Sequence, residues 1–329
     1  MAQYKPIIIA ILIITLLPPA GYLGYDWYKN RGPFKETYAL AIKDDADAQI
    51  ALAKLYIEGE WVKKDIKEAL RWYNAAADQN NLNAIMILAS IYYKGEIVQQ
   101  DYQQALQWFL LASAQEDPLA QRNIGIIYYN GLGVPRNYTE AIKWYKKAAQ
   151  QGDLEVQLKL GHIYYEGTTT RIDYNQALEW FKKAAKQDDA SAQYYMGEIY
   201  SEGLGVPVDY QEAFKWYLKS AEQGYNEAEC AVGIAYNNGN GIEQDYEKAA
   251  DWYKKSIEKS NINAMFKMAM LYSDGKGAKQ NYPEAYKLLS IASVKGYNLA
   301  NEAKNLLITK MSDKEIQEGE QLLKEFAGK

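Results

Sequence analysis

Hydrophobic positions along this chain follow two nested periods, the spacing of a helical face and a longer repeat of 36 residues. Ala69, Ala105, Ala141, Ala177, Ala213, Ala249 and Ala285 fall 36 residues apart without a slip, which predicts seven copies of one supersecondary unit. Three positions after each alanine stand Trp72, Trp108, Trp144, Trp180, Trp216 and Trp252, with Leu288 in the seventh copy. Upstream in each copy, Ala48, Leu52, Ala53 and Tyr56, echoed by Ala120, Ile124, Gly125 and Tyr128, fall on one stripe of a helix. The small residue at Ala53, Ala89, Gly125, Gly161, Gly197, Gly233 and Ala269 predicts a close helix-helix approach. The tyrosines at Tyr56, Tyr92, Tyr128, Tyr164, Tyr200, Tyr236 and Tyr272 are expected to pack in the groove beside it.

Polar punctuation falls between the two stripes. Gly59, Gly95, Gly131, Gly167, Gly203, Gly239 and Gly275 sit where a left-handed residue stops a helix. Asp65, Asp101, Asp173, Asp209 and Asp245, with Asn137 and Asn281 in the other two copies, stand where the next helix needs an N-cap. Each copy therefore reads as helix, turn, helix. Phe34 to Lys43 is expected to form a lone capping helix, and Ser312 with Glu315 marks a capping box ahead of a last amphipathic helix through Phe326.

These residues resemble the Sel-1-like repeat family, a branch of the tetratricopeptide superfamily. The likeness is nearly literal in the third copy, through Ala120, Gly125, Tyr128, Gly131, Gly133 and Val134 and then Tyr138, Ala141, Trp144, Tyr145, Ala148 and Ala149. It implies an all-α fold, a right-handed α/α superhelical solenoid of seven such helix-turn-helix repeats with terminal capping helices. Repeats are expected at about 46–81, 82–117, 118–153, 154–189, 190–225, 226–261 and 262–297, with a C-terminal cap over 298–329, all within a solenoid over 32–329. Departures are mild: Thr168, Thr169 and Thr170 replace the second glycine region of the fourth copy, and Trp61 and Ile97 do so in the first two. Cysteine-rich members staple each repeat with a disulfide, and the single Cys230 places this chain outside that subgroup.

The amino-terminal stretch is different in kind. Residues 1–31 read as a membrane anchor or signal segment with a juxtamembrane linker, because Ile7 to Leu17 is apolar apart from Thr15. Pro18, Pro19, Ala20 and Gly21 make a poor cleavage site, and Tyr22, Tyr25, Trp27 and Tyr28 resemble an interfacial aromatic belt, so an uncleaved single-pass anchor is the expectation. Lys29, Arg31 and Lys35 oppose translocation of the repeats. A short tail running straight into an apolar segment is nonetheless the arrangement of an export signal, and the repeats are expected on the outer, extracytoplasmic face. Secretion after cleavage is the alternative.

Composition narrows the chemistry. A net charge of −5 supplies no field for phosphates, which argues against a nucleic-acid partner. His162 and Cys230 are the sole residues of their kinds and lie nearly two repeats apart, so neither a Cys-His nucleophile nor a zinc site is expected. No catalytic residue, metal, cofactor or small-molecule substrate is inferred. Asp44 with Asp45 and Asp188 with Asp189 fall at repeat junctions and read as solvated turns, and Lys146 with Lys147 and Lys182 with Lys183 read as a solvated outer face.

One stripe varies from copy to copy, at positions equivalent to 50, 54 and 57. It runs Ile50, Lys54, Ile57; Met86, Ser90, Tyr93; Arg122, Ile126, Tyr129; Leu158, His162, Tyr165; then Tyr194, Glu198, Ser201. By the resemblance, these first helices line the concave surface of a solenoid. Tyr, Arg and Met anchor protein interfaces, so Tyr93, Arg122, Tyr129, Tyr165 and Tyr194 are the candidate partner-binding residues. The expected function is a membrane-tethered, non-enzymatic adaptor for a protein or peptide, with a secreted factor acting on a foreign cell or an envelope hydrolase as alternatives. Intact-mass measurement of the mature chain is expected to show residue 1 or 2 at its start; loss of about 20 residues would replace the anchor with the secreted form.

Overall fold

The structure, a computed structural model, describes residues 32–327. The expected anchor over residues 1–31 lies outside the described residues, among which no helix is long and apolar enough to cross a membrane. The described residues form seventeen α-helices and no strands. A first helix, α1 (Gly32–Ala41), precedes seven pairs: α2 (Ala46–Glu58) and α3 (Ile66–Asp78), α4 (Leu82–Lys94) and α5 (Tyr102–Ser113), α6 (Pro118–Asn130) and α7 (Tyr138–Gln150), α8 (Leu154–Glu166) and α9 (Tyr174–Ala185), α10 (Ala190–Glu202) and α11 (Tyr210–Glu222), α12 (Asn226–Asn238) and α13 (Tyr246–Glu258), and α14 (Ile262–Asp274) and α15 (Tyr282–Val294). Then come α16 (Asn298–Ile308) and α17 (Asp313–Ala327), both packed on α15. The chain divides into two compact units with the boundary between Glu116 and Asp117.

In the first unit α1 covers α2, with Phe34 fully buried and its ring edge-on to Tyr56 at 5.8 Å. In the second, Ser312 and Glu315 cap α17 reciprocally: the Ser312 N–H donates to Glu315 Oε2 at 2.8 Å and the Glu315 N–H to Ser312 Oγ at 3.4 Å. α17 follows the expected capping box, while α1 begins and ends two residues before the expected Phe34 to Lys43.

Every turn within a repeat closes in the same way. The glycine after each first helix adopts the left-handed conformation, from Gly59 at φ 76° to Gly275 at φ 67°. The Asp65 N–H then donates back to the Tyr56 carbonyl at 3.0 Å, and the equivalent bond recurs in all seven repeats as far as Asn281 to Tyr272, also 3.0 Å. The Asp65 side chain accepts from the N–H groups of Lys67 and Glu68, satisfying donors that the first turn of α3 leaves unpaired. A second glycine serves packing between neighbours. A Cβ at Gly241 or Gly277 would strike the carbonyl of Tyr210 or Tyr246, at the start of the preceding repeat's second helix.

The centre of each of the first six repeats is an aromatic ring set against a residue with almost no side chain, and Leu289 takes the ring's place in the seventh. A Cβ at Gly161 would come within 2.5 Å of the Phe181 ring, and one at Gly197 or Gly233 within 2.5 Å of Tyr217 or Tyr253. Phe181 and Tyr253 are wholly buried as a result. The two adjacent aromatics of the second helix, Trp180 beside Phe181 for example, therefore split in role. Trp180 is buried, but Trp144, Trp216 and Trp252 are half-buried, and Lys147, Lys183, Lys219 and Lys255 place their ammonium groups 3.8 to 4.6 Å above the Trp rings three residues earlier. The second lysine of each pair thus covers an indole rather than standing free in solvent. The periodic tyrosines also differ from expectation: Tyr56 and Tyr164 are buried, whereas Tyr92, Tyr128, Tyr200, Tyr236 and Tyr272 are half-buried, since the small-residue groove is taken by the second helix's ring.

A polar ladder runs through the apolar core. Gln49, Gln121, Gln157 and Gln193 are buried in their first helices, and each accepts from a glutamine 30 residues later: Gln79, Gln151, Gln187 and Gln223, at 2.9 to 3.0 Å. The same buried amides reach backward, Gln157 to the Ala149 carbonyl at 2.8 Å and Gln49 to that of Ala41 at 3.1 Å. In the sixth repeat both members change together, and Lys259 pairs with the buried Glu229 at 2.5 Å. A lone charge there would be costly, so the substitution of one side requires the other.

Truncating Phe181 to Ala is expected to cost about 3 to 5 kcal/mol through the cavity it opens. Trp144→Ala is expected to cost clearly less, because half of that ring already faces solvent and a lysine. Urea unfolding of the two variants checks the order.

Candidate functional site

The candidate residues separate by unit. In the first, Tyr93 is half-buried and stands edge-on to Tyr102 at 5.4 Å and Phe109 at 6.0 Å. Its phenol is held above the usual tyrosine range by burial, then by Tyr102. Ile50, at the head of the same stripe, is buried rather than presented.

In the second unit the remaining four divide again. Arg122 on α6 makes ion pairs with Glu155 at 2.8 Å and Asp153 at 3.4 Å, so its guanidinium ties α6 to the start of α8. Tyr129 stands edge-on to Tyr138 at 5.2 Å, with the Lys159 ammonium 4.5 Å from its ring. Tyr165 and Tyr194 come together on one carboxylate: Tyr165 donates to Glu198 Oε2 at 3.1 Å and Tyr194 to Oε1 at 2.6 Å. Burial is the first cause that lifts both phenols above the usual tyrosine range, and the bonded, charged Glu198 lifts them further. Both remain protonated donors under any ordinary condition.

Around this carboxylate the structure assembles residues that the sequence did not single out. Tyr195 stacks on Phe181 at 4.8 Å and meets Tyr165 edge-on at 5.3 Å, while Tyr225 lies 5.4 Å from Tyr194. His162 stands edge-on to Tyr195 at 4.7 Å and to Phe181 at 5.3 Å. Its burial lowers the imidazole's affinity for protons, with Glu166 opposing, which suits a packing role better than acid-base work. Beyond Tyr194 opens a cleft of about 460 Å³ between α10 and α12, walled by Tyr194, Phe214 and Tyr217 and edged by Glu198, Glu202 and Glu227. Cys230 lines it, buried, its thiol pushed up to about 12 by burial, which disfavours the thiolate.

The paired aspartates have a structural use. Asp45 and Asp189 cap α2 and α10, and Asp44 and Asp188 hold the left-handed residue before each cap.

A family model described as Sel1 repeat matches residues 46–81, 82–117, 118–153, 154–189, 190–225, 226–261 and 262–297. Among solved structures, the chain is similar to a Sel1 repeat protein from Oxalobacter formigenes, at 29% identity and a TM-score of 0.57, over 83% of this chain and 80% of that one. It is also similar to c5321, described as a protective antigen present in uropathogenic Escherichia coli strains displaying an SLR fold, at 27% identity and a TM-score of 0.55, over 90% of this chain and 71% of that one. No curated protein matches.

Replacing Tyr194 by Phe keeps the ring and removes the short bond to a carboxylate. The expected loss is about 1.5 to 3 kcal/mol in urea unfolding, and it should shrink when Glu198 is already Gln.

Proposed function

The chain belongs to the Sel1 repeat family, and from that premise we propose that it is a membrane-tethered, non-enzymatic scaffold that binds another protein along the first-helix face of its second unit. Sel1 repeat proteins serve generally as protein-interaction scaffolds. The observation that carries the reading to this face is the contrast between repeated and unrepeated positions. The turns, the small first-helix residues and the second-helix caps recur in every copy, and the buried ring in the first six. Tyr194 and Glu198 have no counterpart in any other copy and Tyr165 repeats only at Tyr93 and Tyr129, and the three stand together beside an open cleft. Fold alone implies no partner; a face that departs from its own repeat while the scaffold stays constant is where recognition is best sought.

The tether is assigned to residues 1–31 on their apolar run and aromatic flank, with the repeats on the outer face. A non-catalytic role is supported by the placement of the sole histidine, packed between rings, and of the sole cysteine, which is buried.

Photo-crosslinking from membranes tests this reading without disturbing the core. A crosslinking residue at Tyr129 or Glu202, on first helices, is expected to yield a discrete protein adduct. The same residue at Lys143 or Lys215, on exposed faces of second helices, is expected to yield none. Equal labelling from both faces, or none from either, would overturn the proposal.

A further inference from the structure

The cleft between α10 and α12 is a local departure from the repeat, and its origin can be read residue by residue. Ala235 occupies the position held by Leu55, Ile91, Ile127, Ile163, Ile199 and Leu271 in the other six copies. Cys230 stands where the others carry Ile50, Met86, Arg122, Leu158, Tyr194 and Phe266. Both line the cleft. A large side chain is present at these positions in every other repeat, so the sixth opens space that its neighbours fill, against the usual penalty for underpacking.

The walls define what enters that space. Tyr194, Phe214 and Tyr217 offer aromatic surface, and Glu198, Glu202 and Glu227 stand around it, while no lysine or arginine lines it. Among the described residues none of these three glutamates has an ion-pair partner, unlike Glu140, Glu179 and Glu212 on the second helices, each matched to a lysine three or four residues on. Glu198 is held in place by two phenol donors, which orient its charge without neutralising it. Among the described residues no group of three or more His, Cys, Asp or Glu is arranged to hold a metal ion. Aromatic faces beside uncompensated carboxylates bind organic cations, through ring quadrupoles and charge-assisted hydrogen bonds together.

We infer that this cleft receives a lysine or arginine side chain from a basic, extended segment of the partner protein. The inference rests on the scaffold reading above and names the chemistry of what the scaffold holds. The volume, about 460 Å³, suits a side chain with its flanking backbone. The restored side chain of the other repeats supplies a variant that closes the cleft and leaves the repeat intact.

The test uses the full-length chain in neutral detergent and a fluorescein-labelled nonapeptide of alternating lysine and alanine, read by anisotropy. A peptide with glutamine for lysine is the control. Glu198→Gln with Glu202→Gln is expected to weaken binding by at least about tenfold, as loss of charge-assisted bonds implies. Ala235→Ile is expected to weaken it to a similar degree while the melting temperature holds or rises. Glu140→Gln with Glu179→Gln, on second helices, should leave binding unchanged. Equal affinity for the glutamine peptide, equal weakening by the second-helix pair, unchanged binding in a folded Ala235→Ile, or displacement by spermidine as effective as by unlabelled peptide would each overturn the inference. A crosslinked adduct from Glu202 in a chain that ignores the lysine peptide would sink the cleft's assignment and leave the scaffold standing; absence of both would remove the scaffold reading itself.

Discussion

The close approach of the two helices in each of the first six repeats depends on one contact, an aromatic ring of the second helix laid over a glycine or alanine of the first, with Leu289 in the ring's place in the seventh. At Gly161, Gly197 and Gly233 not even a methyl group fits beneath Phe181, Tyr217 and Tyr253. Because the helices meet so closely, the ring packs among alanines such as Ala148, Ala177 and Ala184, and first-helix aliphatics such as Leu52, Ile124 and Leu160 fill the rest of the interior. In the third, fifth and sixth repeats the tryptophan beside the ring lies at the margin, where a lysine one turn on covers it.

A tightly closed helix pair leaves little room for polar groups, and the buried glutamines show how they are accommodated. Each is bonded within its repeat to a glutamine at the end of the second helix, and Gln49 and Gln157 also reach the carbonyl that ends the helix before. Where Glu229 replaces a glutamine, Lys259 replaces its partner. A buried amide or carboxylate without that partner would lose its water without compensation. The ladder therefore constrains the order of the helices as well as their closeness.

With the repeat so constrained, variety is left to positions that neither the ring nor the ladder uses. On the first helices of the second unit these hold Tyr165, Tyr194 and Glu198, and in the sixth copy the truncations at Cys230 and Ala235. A solenoid can change such positions singly because each repeat contacts only its neighbours, so local substitution does not propagate through the core. Recognition chemistry and stability are carried by different residues of the same helix.

Much of this is legible in the sequence, because local forces set it. The 36-residue spacing of Ala69 to Ala285, the left-handed glycines, the Asp and Asn caps and the Ser312–Glu315 box each act over a few residues, and a sequence reading places them correctly. It also singles out Tyr165 and Tyr194 as candidates. The convergence of those two hydroxyls on Glu198, the capture of Arg122 by Asp153 and Glu155, the burial of Ile50 and the half-burial of Trp144 are not legible there, since each is decided by how far one helix tilts against the next. The glutamine ladder lies between: its members recur with the period, but a spacing of 30 residues acquires meaning only once two helices bring them within 3.0 Å. Sequence alone determined the repeat, because capping and helical periodicity are local; tertiary structure decided which varied side chains meet, because contact across helices depends on packing geometry that no single segment encodes.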